Sequence, residues 1–265
     1  MARCCRSLAT RSRCCPEPSS ASSPGGPSVT PVALSLAVLL GAYLIGSIPW
    51  AYIIVRAVTG EDVTQHGTGN VGAMNVRRST GSWGWFAVAM VADGMKGLIP
   101  VAVVKSGVLG FAGLAAAFTP VGLLGASYAD PTTRWLMIVP QAAVAGVVFG
   151  HNYSFWMALI KRHFARTGKG LATGAGALLA YDWRYFVIVV VVGLTTIAIT
   201  RYMMAGQVAA AISLPVGALV LGSPDWPFAL VMGTVVYAAH HKRFIGMLQG
   251  KEPKLYVNDR MGPRG

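Results

Sequence analysis

Two glycine-rich segments of the chain combine the residue types that bind phosphate groups. The first, residues 65–78, reads Gln-His-Gly-Thr-Gly-Asn-Val-Gly-Ala-Met-Asn-Val-Arg-Arg. Spaced glycines let backbone N–H groups turn toward an anion, and arginine matches the geometry of phosphate oxygens. The polar side chains of this kind are Thr68, Asn70, Asn75, Arg77 and Arg78. A flexible loop between helices, with glycine for turns and arginine for membrane topology, explains the same composition equally well.

The second segment, residues 166–174, reads Arg-Thr-Gly-Lys-Gly-Leu-Ala-Thr-Gly and opens an apolar stretch. A helix that begins here would present free N–H groups and the positive end of its dipole beside Lys169. The spacing differs from that of a nucleotide-binding P-loop, because Gly170 stands where Ser or Thr is required and no strand is expected before it. The sequence therefore favours a simple anion site, with a plain basic loop at the membrane edge as the alternative.

A third basic group, His240-His241-Lys242-Arg243, closes the last apolar run. These residues could bind phosphate or transfer protons. They could equally complement the helix C-terminus and anionic lipid headgroups. Adjacent histidines point to different faces of a helix, so a zinc site is not favoured.

One further pair of charges, Asp93 and Lys96, lies inside an apolar run. Ionisable groups at such a depth are costly, and they are usually paired or functional. The separation of three residues allows the two side chains to meet on one helix face. We expect a structural ion pair.

Composition indicates that membrane-spanning helices position these segments. The chain has 265 residues, 54% of them hydrophobic and 12% charged, and its mean hydropathy is +0.55. Soluble domains carry about 25% charged residues, so we predict an all-α polytopic membrane protein. The net charge of +13 is interpreted as charge on cytoplasmic loops and not as a nucleic-acid-binding surface. The apolar runs are Val32–Val58, Trp83–Val104, Val108–Tyr128, Trp135–Ile160, Leu171–Tyr181, Phe186–Thr200, Gly206–Gly222 and Pro227–Ala239.

Topology follows from the distribution of Lys and Arg. They concentrate in Thr59–Ser82, Lys161–Gly170 and His240–Gly265, which the positive-inside tendency assigns to the cytoplasm. Segments on the same side are separated by an even number of crossings, so Val108–Tyr128 is predicted to enter the membrane region without crossing. The prediction is about seven transmembrane helices plus one extra apolar non-crossing segment, with the N-terminus outside.

The first residues differ in composition from the rest. Residues 1–31 hold four Arg, all the Cys and a Ser/Pro/Gly run, which is typical of a disordered tail. Because these arginines favour the inside, we expect the true start near Val29 or Val32, with residues 1–28 a gene-model extension. The predicted organisation is a tail over 1–31, a transmembrane domain over 32–245 and a cytoplasmic C-terminal tail over 246–265.

The order and spacing of these motifs resemble a known family. Gly46-Ser47-Ile48-Pro49 leads into the first segment, and Gly150-His151-Asn152-Tyr153 precedes the second. His240 and Gly250-Lys251-Glu252-Pro253-Lys254 follow near the C-terminus. Together they look like the bacterial acyl-phosphate:glycerol-3-phosphate acyltransferase family, over about residues 33–255.

The resemblance implies a multi-pass protein of the bacterial plasma membrane, with the motif loops and the C-terminus in the cytoplasm. It implies transfer of a fatty acyl group from acyl phosphate to glycerol 3-phosphate, without metal, nucleotide or other cofactor and without nucleic acid; membrane lipids surround it. The implied catalytic residues are Thr68, Arg78 and His240, with His240 orienting glycerol 3-phosphate. The implied substrate-binding residues, among which Gly168 and Gly170 would expose N–H donors, are Gly67, Gly69, Asn70, Asn75, Arg166, Gly168, Lys169, Gly170 and Thr173.

Several positions depart from the family pattern, and they leave alternatives open. The family has Ser at position 68, Thr at 74, Gly at 167, Glu and Asn at 242 and 243, and Ser at 204 and 207. This chain has Thr68, Met74, Thr167, Lys242, Arg243, Met204 and Gln207. The alternatives are a catalytically impaired relative that binds lipid phosphates and a small anion transporter. Transport is disfavoured, because only Asp93 and Lys96 are ionisable residues at mid-membrane depth.

Overall fold

A computed structural model of the chain describes residues 31–117 and 137–251. These residues form helices and loops and contain no strand, which confirms the all-α membrane class. The predicted tail over 1–31, apart from Pro31, and residues 252–265 of the C-terminal tail lie outside the described residues.

The described part of the chain contains ten α-helices and a short 3-10 helix at Val63–Gln65. In chain order the helices are α1 Pro31–Gly46, α2 Trp50–Thr59, α3 Ala73–Thr80, α4 Trp83–Ala117, α5 Ile138–Asn152, α6 Phe155–Lys161, α7 Leu171–Tyr181, α8 Trp183–Thr200, α9 Met203–Val220 and α10 Trp226–Leu248.

Five stretches of the described residues are long and apolar enough to cross a membrane. They are Val32–Thr59, Trp83–Ser106, Ile138–Lys161, Trp183–Thr200 and Met203–Val220. The other two predicted crossings correspond to α7, which has 11 residues, and to α10, which carries the basic residues 240–243 before its last turn. An 11-residue helix spans about 16 Å, which is less than the roughly 30 Å of a hydrocarbon core. The count of seven therefore stays a prediction.

The extra apolar segment differs from the prediction at its start. Helix α4 runs without a break for 35 residues, so the first ten residues of Val108–Tyr128 continue the preceding helix; residues 118–128 lie outside the described residues. Lys105, which lies between this run and the preceding one in the sequence, does not interrupt the helix, and its side chain is buried within the fold. Its Nζ donates to the carbonyl of Tyr181 at 2.5 Å, which satisfies the charge without interrupting the helix.

Two of the long membrane stretches are broken at positions that touch each other. Helix α1 ends before Pro49, which has no N–H to continue a helix, and α5 ends before Ser154. The Ser154 hydroxyl accepts from the N–H of Met157 at 3.1 Å and so caps α6. It also donates to the carbonyl of Ser47 at 2.5 Å. This hydrogen bond joins the break between α1 and α2 to the break between α5 and α6.

Glycines allow close helix crossings that position the second polar segment. A Cβ at Gly176 on α7 would overlap the backbone of Gly94 on α4, and one at Gly97 would overlap the carbonyl of Thr173. Small residues at these positions let the two backbones approach closely, as is common between membrane helices. The crossing brings the start of α7 next to the Asp93 region of α4.

Candidate active site

The first glycine-rich segment is folded by a buried apolar anchor and by one asparagine. Val63 and Val76 are fully buried and Val71 almost so, all in one cluster with residues of α2 and α6. Asn75 is 2% exposed. Its Nδ2 donates to the carbonyl of Val63 at 2.8 Å and to that of His66 at 2.9 Å. The segment therefore has a defined conformation that these buried contacts support.

Asn75 and the glycines shape the loop. Both amide hydrogens of Asn75 serve backbone carbonyls, so the expected donation from this amide to substrate is not available. Gly67 and Gly69 have positive φ angles of 50° and 71°, which glycine adopts without steric cost. A Cβ at Gly67 would also overlap the Asn75 side chain. We conclude that these three residues position the loop.

We expect the substitution Asn75→Leu to loosen this loop more than the rest of the protein. The variant removes two buried hydrogen bonds, at a cost of about 1–3 kcal/mol in local stability. Hydrogen–deuterium exchange of residues 63–72 should accelerate roughly ten-fold or more. The matched control, Asn70→Leu, changes an amide for which no such buried bonds are found. Equal exchange in both variants would contradict the anchoring role.

The loop is also tied to helix α6 by charge. Asp62 accepts from the N–H of Thr64 at 2.9 Å and forms an ion pair with Lys161. Burial opposes ionisation of Asp62, but the hydrogen bonds from Lys161 and Thr64 outweigh it and hold the pKa of this carboxyl below its ordinary value. Asp62 is therefore ionised at neutral pH, and the link to α6 persists there.

The second segment is held against the first by its own backbone. The N–H of Val71 donates to the carbonyl of Thr167 at 2.7 Å, and the N–H of Thr167 donates to the carbonyl of Asn152 at 2.8 Å. The Thr167 hydroxyl donates to the carbonyl of His151 at 3.0 Å. Thr167 replaces a family glycine, and this hydroxyl contact gives it a structural role. The hydrogen bond between Val71 and Thr167 thus joins the two glycine-rich segments directly.

Two predicted donors of the second segment are used internally. The N–H of Gly168 donates to the carbonyl of Asn152 at 3.4 Å, so this donor does not face a ligand. Thr173 is fully buried, and its hydroxyl lies 3.2 Å from His151 Nδ1. The α4–α7 crossing covers Thr173, which is not part of the cavity wall described below, and its contact with substrate stays a prediction. Gly170, with φ of +75°, begins α7 as predicted.

A buried polar network lies beneath this segment. Asp93 pairs with Lys96 at 2.9 Å, as expected from their spacing. Lys96 Nζ also donates to the carbonyl of Ile48 at 2.7 Å, at the α1–α2 break. His151 Nδ1 lies 3.8 Å from the Asp93 carboxylate, and a Cβ on Gly168 would overlap the His151 ring. The ion pair on α4 therefore contacts the break between α1 and α2 and lies close to His151 on α5.

The third basic group contributes a buried histidine. His240 is 1% exposed, and its Nδ1 lies 2.7 Å from the carbonyl of Val236. Because a carbonyl only accepts, Nδ1 carries the proton in this bond. Nε2 is buried and has no hydrogen-bond partner among the described residues. Three cations act electrostatically on the ring: Lys169, Arg166 and Arg243.

A cavity of about 730 Å³ opens between the polar segments and continues between the helices. Its polar wall carries Thr68, Asn70, Asn75, Arg77, Arg78, Asp93, His151, Lys169, Gln207 and Arg243. Its apolar wall comes from α4, α7, α8 and α9 and includes Phe86, Met90, Leu98, Leu179, Phe186, Val190, Ile197 and Leu214. The cavity therefore has a cationic portion and a long apolar portion.

The predicted site residues divide into two groups around this cavity. Six line it: Thr68, Asn70, Asn75, Arg78, Lys169 and Gly170. The other six are not part of its wall: Gly67, Gly69, Arg166, Gly168, Thr173 and His240. Arg166 instead donates from Nε to the carbonyl of Gly168 at 3.2 Å.

Sequence reasoning gave no site role to His151, Asp93 or Gln207, all of which line the cavity. The motif Gly-His-Asn and the buried position of Asp93 were signals for two of them. Across residues 31–117 and 137–251, no three His, Cys, Asp or Glu side chains come together as ligands for a metal ion. The expectation of chemistry without a metal stays an expectation.

Fold and site together define a class of protein. It is a polytopic helical membrane protein with a cavity whose cationic portion suits phosphate groups and whose remaining portion is apolar. Comparison with known proteins makes this specific. The sequence model of the family described as glycerol-3-phosphate acyltransferase matches residues 36–250. The chain belongs to this family, which confirms the resemblance drawn from its motifs.

Individual relatives agree with this assignment. A glycerol-3-phosphate acyltransferase of Synechococcus sp. (strain JA-3-3Ab) is 33% identical over 223 residues, covering 83% of this chain and 93% of that protein. One from Thermus thermophilus is 34% identical over 219 residues, covering 82% and 93%. A crystal structure of PlsY (YgiH), described as an integral membrane glycerol 3-phosphate acyltransferase in its glycerol 3-phosphate form, superposes with a TM-score of 0.64. It is 25% identical and covers 84% of this chain and 96% of that chain.

Proposed function

We propose that this protein transfers a fatty acyl group from acyl phosphate to glycerol 3-phosphate, forming lysophosphatidic acid and inorganic phosphate. The observation that carries the proposal is a cavity whose cationic portion continues into an apolar portion. An acyl phosphate has the same division, a phosphate dianion joined to a hydrocarbon chain. Glycerol 3-phosphate adds a second phosphate and two hydroxyl groups.

The cations of the cavity suit two phosphate groups. Arg78 and Lys169 come from the two hydrogen-bonded segments, and Arg243 comes from α10. Arginine can bind a phosphate through two parallel hydrogen bonds, while lysine acts as a compact charge. Arg77 lies with its guanidinium 4.0 Å from the centre of the Trp83 ring, which restricts its orientation at the cavity wall. The glycerol 3-phosphate and the acyl phosphate would share this cationic portion.

The reaction needs positioning and charge stabilisation more than an enzyme nucleophile, because acyl phosphate is already an activated anhydride. The primary hydroxyl oxygen of glycerol 3-phosphate attacks the acyl carbon, and the bond from that carbon to the phosphate oxygen breaks. The hydroxyl proton passes to a phosphate oxygen, so the products are an ester and hydrogen phosphate. Cationic side chains would stabilise the negative charge that develops on the departing phosphate. Thr68 lies in the same wall and can donate to a substrate oxygen.

His240 enters this scheme as an acceptor for glycerol 3-phosphate. Its buried Nε2 has no partner among the described residues, and such a group is costly unless a ligand or water pairs with it. The His240 ring is not part of the cavity wall. Its contact with glycerol 3-phosphate therefore requires a small movement of the cationic portion of the cavity or a bridging water. We also propose that the cationic portion of the cavity faces the cytoplasm of a bacterial cell, because the basic segments meet there.

The purified protein in detergent should release phosphate from palmitoyl phosphate only when glycerol 3-phosphate is present, with one lysophosphatidic acid formed per phosphate. Mass spectrometry of the lipid product and a colorimetric phosphate assay measure the two. A folded protein that releases no phosphate would reject the proposed activity. Binding of glycerol 3-phosphate without turnover would instead favour the impaired relative that binds lipid phosphates.

A further inference from the structure

Gln207 occupies a distinctive position on the cavity wall. It lies on α9 one turn after Met204, whose sulfur is 3.7 Å from the Lys169 ammonium. Both Met204 and Gln207 line the cavity, together with the apolar Ala210, Ala211 and Leu214 further along the helix. Gln207 therefore stands about one helical turn, roughly 5 Å, from the cationic portion, at the point where the wall becomes apolar.

The Gln207 side chain has a buried oxygen without a partner. Oε1 is inaccessible to solvent and has no hydrogen-bond partner among the described residues. An unsatisfied buried acceptor is unfavourable, and in native structures such groups are usually satisfied by a ligand or by water. Because this one lies in the wall of the substrate cavity, a substrate hydroxyl is a suitable partner.

Other acceptors near the cavity are occupied, covered or outside its wall. Asn152 Oδ1 and His240 Nε2 also have no hydrogen-bond partner among the described residues, but neither residue lines the cavity. The Asp93 carboxylate is paired with Lys96 at 2.9 Å. Asn75 Oδ1 has no hydrogen-bond partner in the described structure, but the backbone of Gly67 lies over it, so that a Cβ there would overlap it. Among the described residues, Gln207 thus offers an unpaired buried acceptor in the cavity wall itself, where the cationic residues give way to apolar ones.

Glycerol 3-phosphate carries one hydroxyl that needs such an acceptor. Its phosphate meets the cations, and in the proposed reaction its primary hydroxyl gives its proton to a phosphate oxygen. The secondary hydroxyl, on the carbon between them, has no assigned partner in the cavity wall itself, since His240 is not part of that wall. We propose that Gln207 Oε1 accepts a hydrogen bond from this secondary hydroxyl and makes the enzyme selective for a glycerol acceptor. The inference rests on the proposed function.

The test compares two substrates that accept the acyl group, and it compares the wild-type protein with a Gln207 variant. 3-Hydroxypropyl phosphate keeps the phosphate and the primary hydroxyl of glycerol 3-phosphate and lacks only the middle hydroxyl. The substitution Gln207→Met keeps side-chain length and removes the amide. With palmitoyl phosphate as donor, the wild-type kcat/KM should be about 10- to 100-fold lower for the analogue, since a site built for a hydroxyl rejects its absence. Gln207→Met should treat the two acceptors equally within about three-fold, with an unchanged KM for palmitoyl phosphate.

The outcomes separate the possible failures. If Gln207→Met still discriminates between the acceptors as the wild type does, Gln207 does not bind the secondary hydroxyl. A raised KM for palmitoyl phosphate with retained discrimination would assign Gln207 to the donor instead, and would overturn the inference. No transfer by the wild type to either acceptor would reject the proposed function itself. Gln207→Leu, which also lacks the amide and has no hydrogen-bonding group, repeats the comparison if the methionine variant does not fold.

Discussion

Replacing Lys169 by methionine is expected to lower kcat/KM for acyl transfer by about 10²–10³-fold while the protein remains folded in the membrane. The reason is electrostatic. Lys169 lines the cationic portion of the cavity and supplies its charge from a site that is partly shielded from water, where one well-placed donor is worth this much. Methionine preserves the length and apolar stem of the side chain, so that packing against Met204 is retained.

Arg162→Met is the matched control for this substitution. Arg162 belongs to the same basic stretch between α6 and α7, is exposed, and is not part of the cavity wall. Its removal changes the net charge equally and should leave kcat/KM within about two-fold. Phosphate release and thermal unfolding are measured for both variants. Wild-type rates in Lys169→Met would remove the phosphate site from this segment, and equal losses in both variants would indicate a general charge effect.

Replacing Asp93 by leucine should destabilise the protein by about 3–5 kcal/mol, because Lys96 would then be a buried cation without its carboxylate. Both side chains of the pair are nearly inaccessible, at 3% and 4% exposure. Within a membrane-embedded bundle an unpaired charge is especially costly. The loss would be measured as the change in the unfolding midpoint and in the monodisperse fraction after purification in detergent.

The double substitution Asp93→Leu with Lys96→Met distinguishes an electrostatic cause from loss of packing. It removes both charges, so most of the stability lost in Asp93→Leu should return. Activity should stay low in the double variant, since Asp93 lines the cavity and lies 3.8 Å from His151 below the second segment. A double variant as unstable as Asp93→Leu would show that the carboxylate acts through contacts other than Lys96.

The sequence predicted the local features of this protein well, because they depend on residues close together in the chain. The glycine pattern at 67–69 indicated a loop, where Gly67 and Gly69 do adopt positive φ angles, and Pro49 indicated the break in the first apolar run. The i, i+3 spacing of Asp93 and Lys96 indicated their ion pair. The weaker predictions concerned residues whose role depends on a distant contact. Thr173 reads as a donor at a helix start, yet the crossing with α4 buries it.

Composition and motif order determined the membrane class, the helical content and the family, since these follow from how many apolar residues lie together and where charges interrupt them. Only the tertiary structure decided which polar groups reach the cavity. The hydrogen bond between Val71 and Thr167 joins segments that are far apart in the chain and brings the two motifs together. Close glycine contacts set the α4–α7 distance, and that distance separates the cavity-lining Lys169 from the buried Thr173. Such contacts depend on helix packing in three dimensions, which no local pattern in the chain specifies.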